Sequence, residues 1–86
     1  MTFAVPSRVL LDDAAGVMQA GEAAVTAGET QIDLAAVTQS DSSLLACLLA
    51  WRRTAQAAGT RLAVLNPPTG LRGLAALYGV EALTLE

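Results

Sequence analysis

QIDLAAVTQSDSSLLACLLAWRR, residues 31–53, contains a short apolar segment, a polar break and a long apolar segment. The break falls at Asp41-Ser42-Ser43. An aspartate before a helix stabilises it, because its carboxylate accepts a hydrogen bond from an unpaired N–H of the first turn. We therefore predict that Asp41 caps a helix from Ser42 to about Ala58, where the following glycine ends it.

Strand patterns lie on both sides of this helix. TQIDL at residues 30–34 and TRLAVL at residues 60–65 are short apolar runs, and residues 35–40 are too short for an additional element. A strand, a helix and a strand in this order form a crossover unit with parallel neighbouring strands. The pattern predicts an α/β domain, with helices packed on a mixed sheet.

The amino-terminal part predicts one strand region and one helix. Apolar residues at 2–5 and 8–11 are separated by Pro6, which suits an edge strand or a hairpin bend. A helix from about Ala14 to Ala27, capped by Asp12 or Asp13, follows and ends at the next glycine. Its predicted buried stripe contains Val17, Met18, Gly21, Ala24 and Val25.

The carboxyl-terminal part predicts a third helix after Pro67-Pro68, since proline is favoured near a helix start. Its apolar face contains Leu71, Leu74, Ala75 and Tyr78, and Gly79 ends it. Residues 80–85 form an apolar tail, for which a last strand and a partner-docking segment are both open interpretations. We expect residues 1–86 to form a single domain.

Composition excludes several functions. The net charge is −3, with five arginines and no lysine, which disfavours binding to nucleic acid or to an anionic membrane surface. The amino end lacks the pattern of a signal peptide, and the apolar run at residues 44–51 is too short to cross a membrane. A single cysteine, Cys47, allows no internal disulfide and is compatible with the cytoplasm.

The sequence contains few residues that could catalyse a reaction or bind a metal ion. Histidine and lysine are absent, and we expect Cys47 to be a core residue. Asp33 and Asp41 are the carboxylates nearest the central break, with a cap as the stronger interpretation of Asp41. The sequence predicts no catalytic residue, no cofactor and no metal site.

The helix that begins at Ser42 carries two different rows of side chains at 100° per residue. The predicted core stripe contains Leu44, Cys47, Leu48, Trp51, Ala55 and Ala58. A second row contains Ser42, Ala46, Leu49 and Arg53, which we call the partner row. We predict that it contacts a partner, with Leu49 as its apolar anchor; a surface leucine without a function is the alternative.

Ser42 and Ser43 lie where the helix dipole favours an anion, so phosphorylation of either is a possible modification. The other interpretation is that the two serine hydroxyls accept hydrogen bonds from the unpaired N–H groups of the first turn. The adjacent Asp41 would also repel a phosphate.

Three segments carry a resemblance to a known family: IDLAAVTQSDSSLLACLL at 32–49, AWRRTAQAAGTRLAVLNPP at 50–68 and LRGLAALYGVEAL at 71–83. They resemble the STAS domain family, and most closely its MlaB branch, over about residues 8–85. In that family a serine or threonine directly after the aspartate begins the second helix and is often phosphorylated. That position corresponds to Ser42, with Ser43 as the alternative. Leu44 stands where many antagonists of anti-sigma factors carry glycine.

The resemblance implies a non-enzymatic cytoplasmic subunit of a Mla-type ABC transporter, which maintains the phospholipid asymmetry of the outer membrane. Its implied partner is the MlaF-like ATPase, which it would stabilise or regulate, and it would reach the inner face of the inner membrane only through this complex. An anti-sigma-factor antagonist, switched by phosphorylation, is the alternative function.

Overall fold

The computed structural model describes residues 2–77 and residue 79. Within them, three helices and five strands follow one another along the chain. Their bounds are β1 Thr2–Ala4, β2 Arg8–Val9, α1 Ala14–Thr26, β3 Gln31–Asp33, β4 Gln39–Ser40, α2 Ser42–Ala57, β5 Ala63–Leu65 and α3 Leu71–Leu77. The elements alternate in the way that the α/β class requires.

The main sheet has the strand order β1-β3-β5, and all its pairs are parallel. Ile32 lies at its centre, paired with Phe3 on one side and Val64 on the other, and is fully buried. Helix α2 connects β3 to β5, which confirms the predicted crossover unit. The chain reverses after both long helices at glycines with positive φ, Gly28 at 109° and Gly59 at 76°, where a side chain would be strained.

A second, two-stranded parallel sheet corrects two predictions. Strand β2 pairs with β4 in the register Arg8 to Gln39, so the segment before Asp41 contains a strand and is more than a turn. The hairpin interpretation of the region around Pro6 is also wrong, because β1 and β2 belong to different sheets. Proline interrupts the pairing, and β1 remains as the edge strand of the main sheet.

Helices α1 and α2 pack closely against each other, and their facing sides are the predicted ones. On α1, the buried residues are Val17, Gly21 and Val25. On α2, they are Leu44, Leu45, Cys47, Leu48, Trp51 and Ala55. Ala58 is exposed at the end of α2, so its place in the core stripe was predicted wrongly, and Leu45 is an additional buried residue.

The start of α1 differs from the prediction in its hydrogen bonds. Asp13 is the residue before the helix, but its carboxylate makes no capping bond to the first turn. Its Oδ2 instead accepts from the Leu10 N–H at 3.1 Å and lies 3.2 Å from the Arg8 guanidinium. The carboxylate therefore holds the turn that leads from β2 into α1.

Helix α3 buries Leu71 and Ala75 and leaves Leu77 exposed. Tyr78 and residues 80–85, for which an apolar face and a tail were predicted, lie outside the described residues. Within the described part of the chain, every helix is too short or too polar to span a bilayer.

Candidate functional site at the start of helix α2

Asp41 holds the start of α2 in place through both of its carboxylate oxygens. Oδ1 accepts a hydrogen bond from the Ser43 N–H at 2.8 Å, which is the bond of a helix cap. Oδ2 accepts from the Leu11 N–H at 3.1 Å, across 30 residues of sequence. One side chain thus fixes the first turn of α2 against the turn that precedes α1.

These hydrogen bonds also set the charge at the site. The Ser43 N–H, followed by the Ser43 side chain and the Leu11 N–H, lowers the pKa of the Asp41 carboxyl below its usual value of 3.8. Asp41 is therefore a carboxylate at neutral pH, and its negative charge lies beside both serines. An anion at this helix start would gain from the helix dipole and lose from this neighbouring charge.

The two serines differ in accessibility. Ser42 is exposed, whereas Ser43 is half-buried and its backbone N–H is already bonded to Asp41. Of the two hydroxyls proposed as modification sites, that of Ser42 is therefore the more accessible. Phosphorylation of either residue stays a prediction.

The partner row runs along the outward side of α2. Ser42, Ala46 and Arg53 are exposed, and Leu49 is partly exposed between them. The buried side of the same helix packs into the core through Leu48 and Trp51. The row is thus on the surface, continuous with the capped start of the helix, and its contact with a partner remains a prediction.

Leu11 is a residue of this site that the sequence did not reveal. It was predicted as part of a strand, yet it lies in the turn before α1 and is 77% exposed. Its backbone N–H is bonded to Asp41, so the exposed leucine is anchored next to the start of α2. No local signal marked it, because the bond joins two segments that are distant in sequence.

Asp33, the second carboxylate near the break, has separate partners. Its Oδ1 accepts from Asn66 Nδ2 at 3.0 Å and from the Ala35 N–H at 2.9 Å, and the pKa of Asp33 is lowered mainly by the Asn66 bond. Asn66 has a positive φ of 54°. Asp33 therefore joins the ends of β3 and β5 and does not share its donors with Asp41.

Cys47 lies below this surface, fully buried in the core. Burial raises the pKa of its thiol, because a thiolate would lose its hydration, and Sγ lies 3.9 Å from the Ala14 carbonyl oxygen. The described residues hold no group of three or more His, Cys, Asp or Glu side chains that could bind a metal ion.

The fold and this site define a small α/β domain with an exposed helix start that is fixed by hydrogen bonds to Asp41. A family model described as "Mlab, STAS domain" matches residues 1–85. The chain therefore belongs to the MlaB-like STAS domain family, which confirms the resemblance and the fold class. No curated protein matches the chain. STAS domains are generally non-catalytic.

Proposed function

We propose that this chain is a non-catalytic subunit that binds the ATPase of a Mla-type ABC transporter and stabilises or regulates it. The observation that carries the proposal is the family match over residues 1–85, combined with an exposed partner row on α2. The transporter would maintain phospholipid asymmetry in the outer membrane. The chain would then act in the cytoplasm, at the inner face of the inner membrane, through its partner alone.

The partner surface combines an apolar anchor with polar neighbours. Leu49 would lose its remaining exposed area to the partner, which is worth only part of the about 1.5–3 kcal/mol gained when a fully exposed leucine side chain is buried. Ser42, Ala46 and Arg53 would surround it, and the exposed Leu11 would extend the surface at the helix start. A few such buried anchors supply most of the energy of a typical interface.

Regulation would follow from a difference in affinity. If the partner row binds one conformation of the ATPase more tightly, the equilibrium shifts towards that conformation, by at most the ratio of its affinities for the two conformations. The rigid start of α2 suits this purpose, since Asp41 fixes it to a second segment before binding. Little ordering entropy is then lost when the complex forms.

A binding role also agrees with the side chains of the described residues. Asp33 and Asp41 are each hydrogen-bonded to their own donors, and Cys47 is buried. No histidine or lysine is present to act as a base beside a nucleophile. These features support a non-enzymatic subunit formed by one STAS domain.

The test is co-purification of the ATPase with the Leu49→Glu variant. We expect the variant to stay folded, because residue 49 is partly exposed and the new carboxylate can pair with Arg53 one turn later. The ATPase should be lost, since the interface would bury a charge. The matched control is Leu77→Glu, at a 78% exposed leucine on α3, which should retain it. If both variants co-purify with the ATPase equally well, the partner row is not the surface that binds it.

The exposed hydroxyl of Ser42 favours one alternative, the antagonist of an anti-sigma factor. Its partner would be a serine kinase. Mass spectrometry of the chain after incubation with its native lysate separates the two functions. Stoichiometric phosphate on Ser42 or Ser43 would support the antagonist, and an unmodified chain that recovers an ABC ATPase would support the transporter subunit.

A further inference from the structure

A cationic pocket lies at the far end of the partner row. It has a volume of about 380 Å³, and we call it the arginine pocket. Its lining residues come from the second half of α2 and from the loop before β5: Leu49, Arg52, Arg53, Gln56, Thr60, Arg61 and Leu62. Three of the five arginines of a chain with net charge −3 thus line one cavity.

Two of these guanidinium groups are available for a ligand. Arg53 and Arg61 are exposed, and the one ion pair found among residues 2–77 and 79 joins Arg8 to Asp13, away from the pocket. Arg52 also lines the pocket, but its Nε and Nη2 are buried and its side chain has an interaction of its own, so it is not counted as a ligand contact. Because an arginine binds a carboxylate through two parallel hydrogen bonds, the pocket is suited to acidic groups.

The pocket is held in a fixed shape. The Thr60 N–H and Oγ1 both bond to the Ala55 carbonyl oxygen, at 2.9 and 3.1 Å, so the loop that carries Arg61 is tied to α2. Leu62 is buried and Leu49 is partly exposed, so apolar surface lies beside the guanidinium groups. A ligand would therefore gain from carrying apolar groups next to its negative charges.

We propose that the arginine pocket binds an acidic segment of the protein partner, with carboxylates at Arg53 and Arg61 and an apolar side chain against Leu49. Leu49 and Arg53 belong to both the partner row and the pocket, so one partner can cover both surfaces. This proposal rests on the proposed function for the identity of the partner. Its chemistry, an acidic and leucine-bearing peptide, is derived from the pocket.

The first test uses a defined peptide and no ATPase. The probe is the blocked hexapeptide Glu-Glu-Leu-Glu-Glu-Leu, titrated into the full chain by calorimetry, with a glutamine-for-glutamate peptide as the control ligand. We expect only the acidic peptide to bind. The double variant Arg53→Glu/Arg61→Glu should weaken its binding by about tenfold or more, the loss expected when charge-assisted hydrogen bonds are removed.

Arg72→Glu is the control for a single substitution, because it makes the charge change of one of the two positions at a site on α3, outside the pocket. It should retain the affinity of the original chain, and circular dichroism should show that both variants are folded. Unchanged peptide binding by the double variant would overturn the proposal. So would inorganic phosphate that binds at the same residues while the acidic peptide does not, since the pocket would then take a small anion.

Co-purification with the ATPase separates this proposal from the proposed function. Loss of the ATPase in both Leu49→Glu and the double arginine variant supports both proposals. Loss in Leu49→Glu alone overturns the acidic segment and retains the partner row. If the unchanged chain recovers no ATPase, the proposed function fails, and the peptide titration still decides what the pocket binds.

Discussion

Gly21 of α1 lies against the indole ring of Trp51 of α2, where even a single methyl group would overlap the ring. The ring is fully buried, its Nε1 donates to the Met18 carbonyl oxygen at 3.0 Å, and Phe3 meets it edge-on with ring centroids 5.7 Å apart. The indole is therefore held by contacts with Gly21, Met18 and Phe3. Close approach of the two helices depends on this glycine.

We expect Gly21→Ala to destabilise the domain. Overpacking of a core costs about 1–3 kcal/mol, and the better helix propensity of alanine offsets about 1 kcal/mol at most. Urea unfolding, followed by the fluorescence of Trp51, would measure the change. The emission of the folded variant should also shift if the indole is displaced.

Gly16 provides the control within the same helix. A methyl group added at Gly16 would meet nothing within 4 Å, so Gly16→Ala should be neutral or stabilise the domain by up to about 1 kcal/mol. Equal effects of the two substitutions would show that backbone propensity, and not contact with Trp51, controls stability at Gly21.

The Asp41 cap predicts how stability depends on pH. Since its pKa is lower in the folded chain than the usual 3.8, the carboxylate stabilises the fold above that value. This contribution is lost as the pH falls through the folded-state pKa. Asp41→Ala should therefore lower the melting temperature at neutral pH, and the difference from the original chain should shrink in strong acid.

Asp12→Ala is the control for this measurement. Asp12 is exposed in the same turn as Leu11 and makes no hydrogen bond to another described residue. Its removal should leave the melting curve close to that of the original chain throughout. If the difference in melting temperature between Asp41→Ala and the original chain stays constant down to strong acid, the ionised Asp41 carboxylate does not stabilise the fold.

Burial of Cys47 predicts slow reaction with thiol reagents. The side chain is fully buried and its pKa is raised, so both access and the thiolate fraction are low. Labelling by an aromatic disulfide reagent should be slow in buffer and fast in denaturant. Rapid labelling of the folded chain would show that α1 and α2 separate easily.

Local patterns in the sequence predicted the framework of the fold well. The crossover from β3 through α2 to β5, the glycine ends of the helices and most of the α2 core stripe follow from hydrophobic period and helix-ending chemistry. These signals lie within a few residues of the elements they specify. The family resemblance rested on the same segments.

The remaining features depend on contacts between distant segments. Strands β2 and β4 have two residues each, which is too few for a periodic pattern. They form only by pairing with each other, in the register Arg8 to Gln39. Ala58 lies at the angle of the core stripe, but α2 has ended before it, so the angle no longer describes its surroundings. The bond between Asp41 and Leu11, which completes the candidate site, is likewise non-local.

The parallel main sheet has a consequence for the order of folding. Thr2 and Gln31, whose side chains bond, are 29 residues apart, and Asp33 and Asn66 are 33 apart. Neither β1 nor β5 can pair with β3 until a long loop has closed. Closing that loop costs conformational entropy, which raises the barrier to folding. Ile32→Val should therefore mainly slow refolding in stopped-flow experiments, while Leu71→Ala in α3 should mainly speed unfolding. A nascent chain would complete the pairing on both sides of β3 only after residue 65 has left the ribosome.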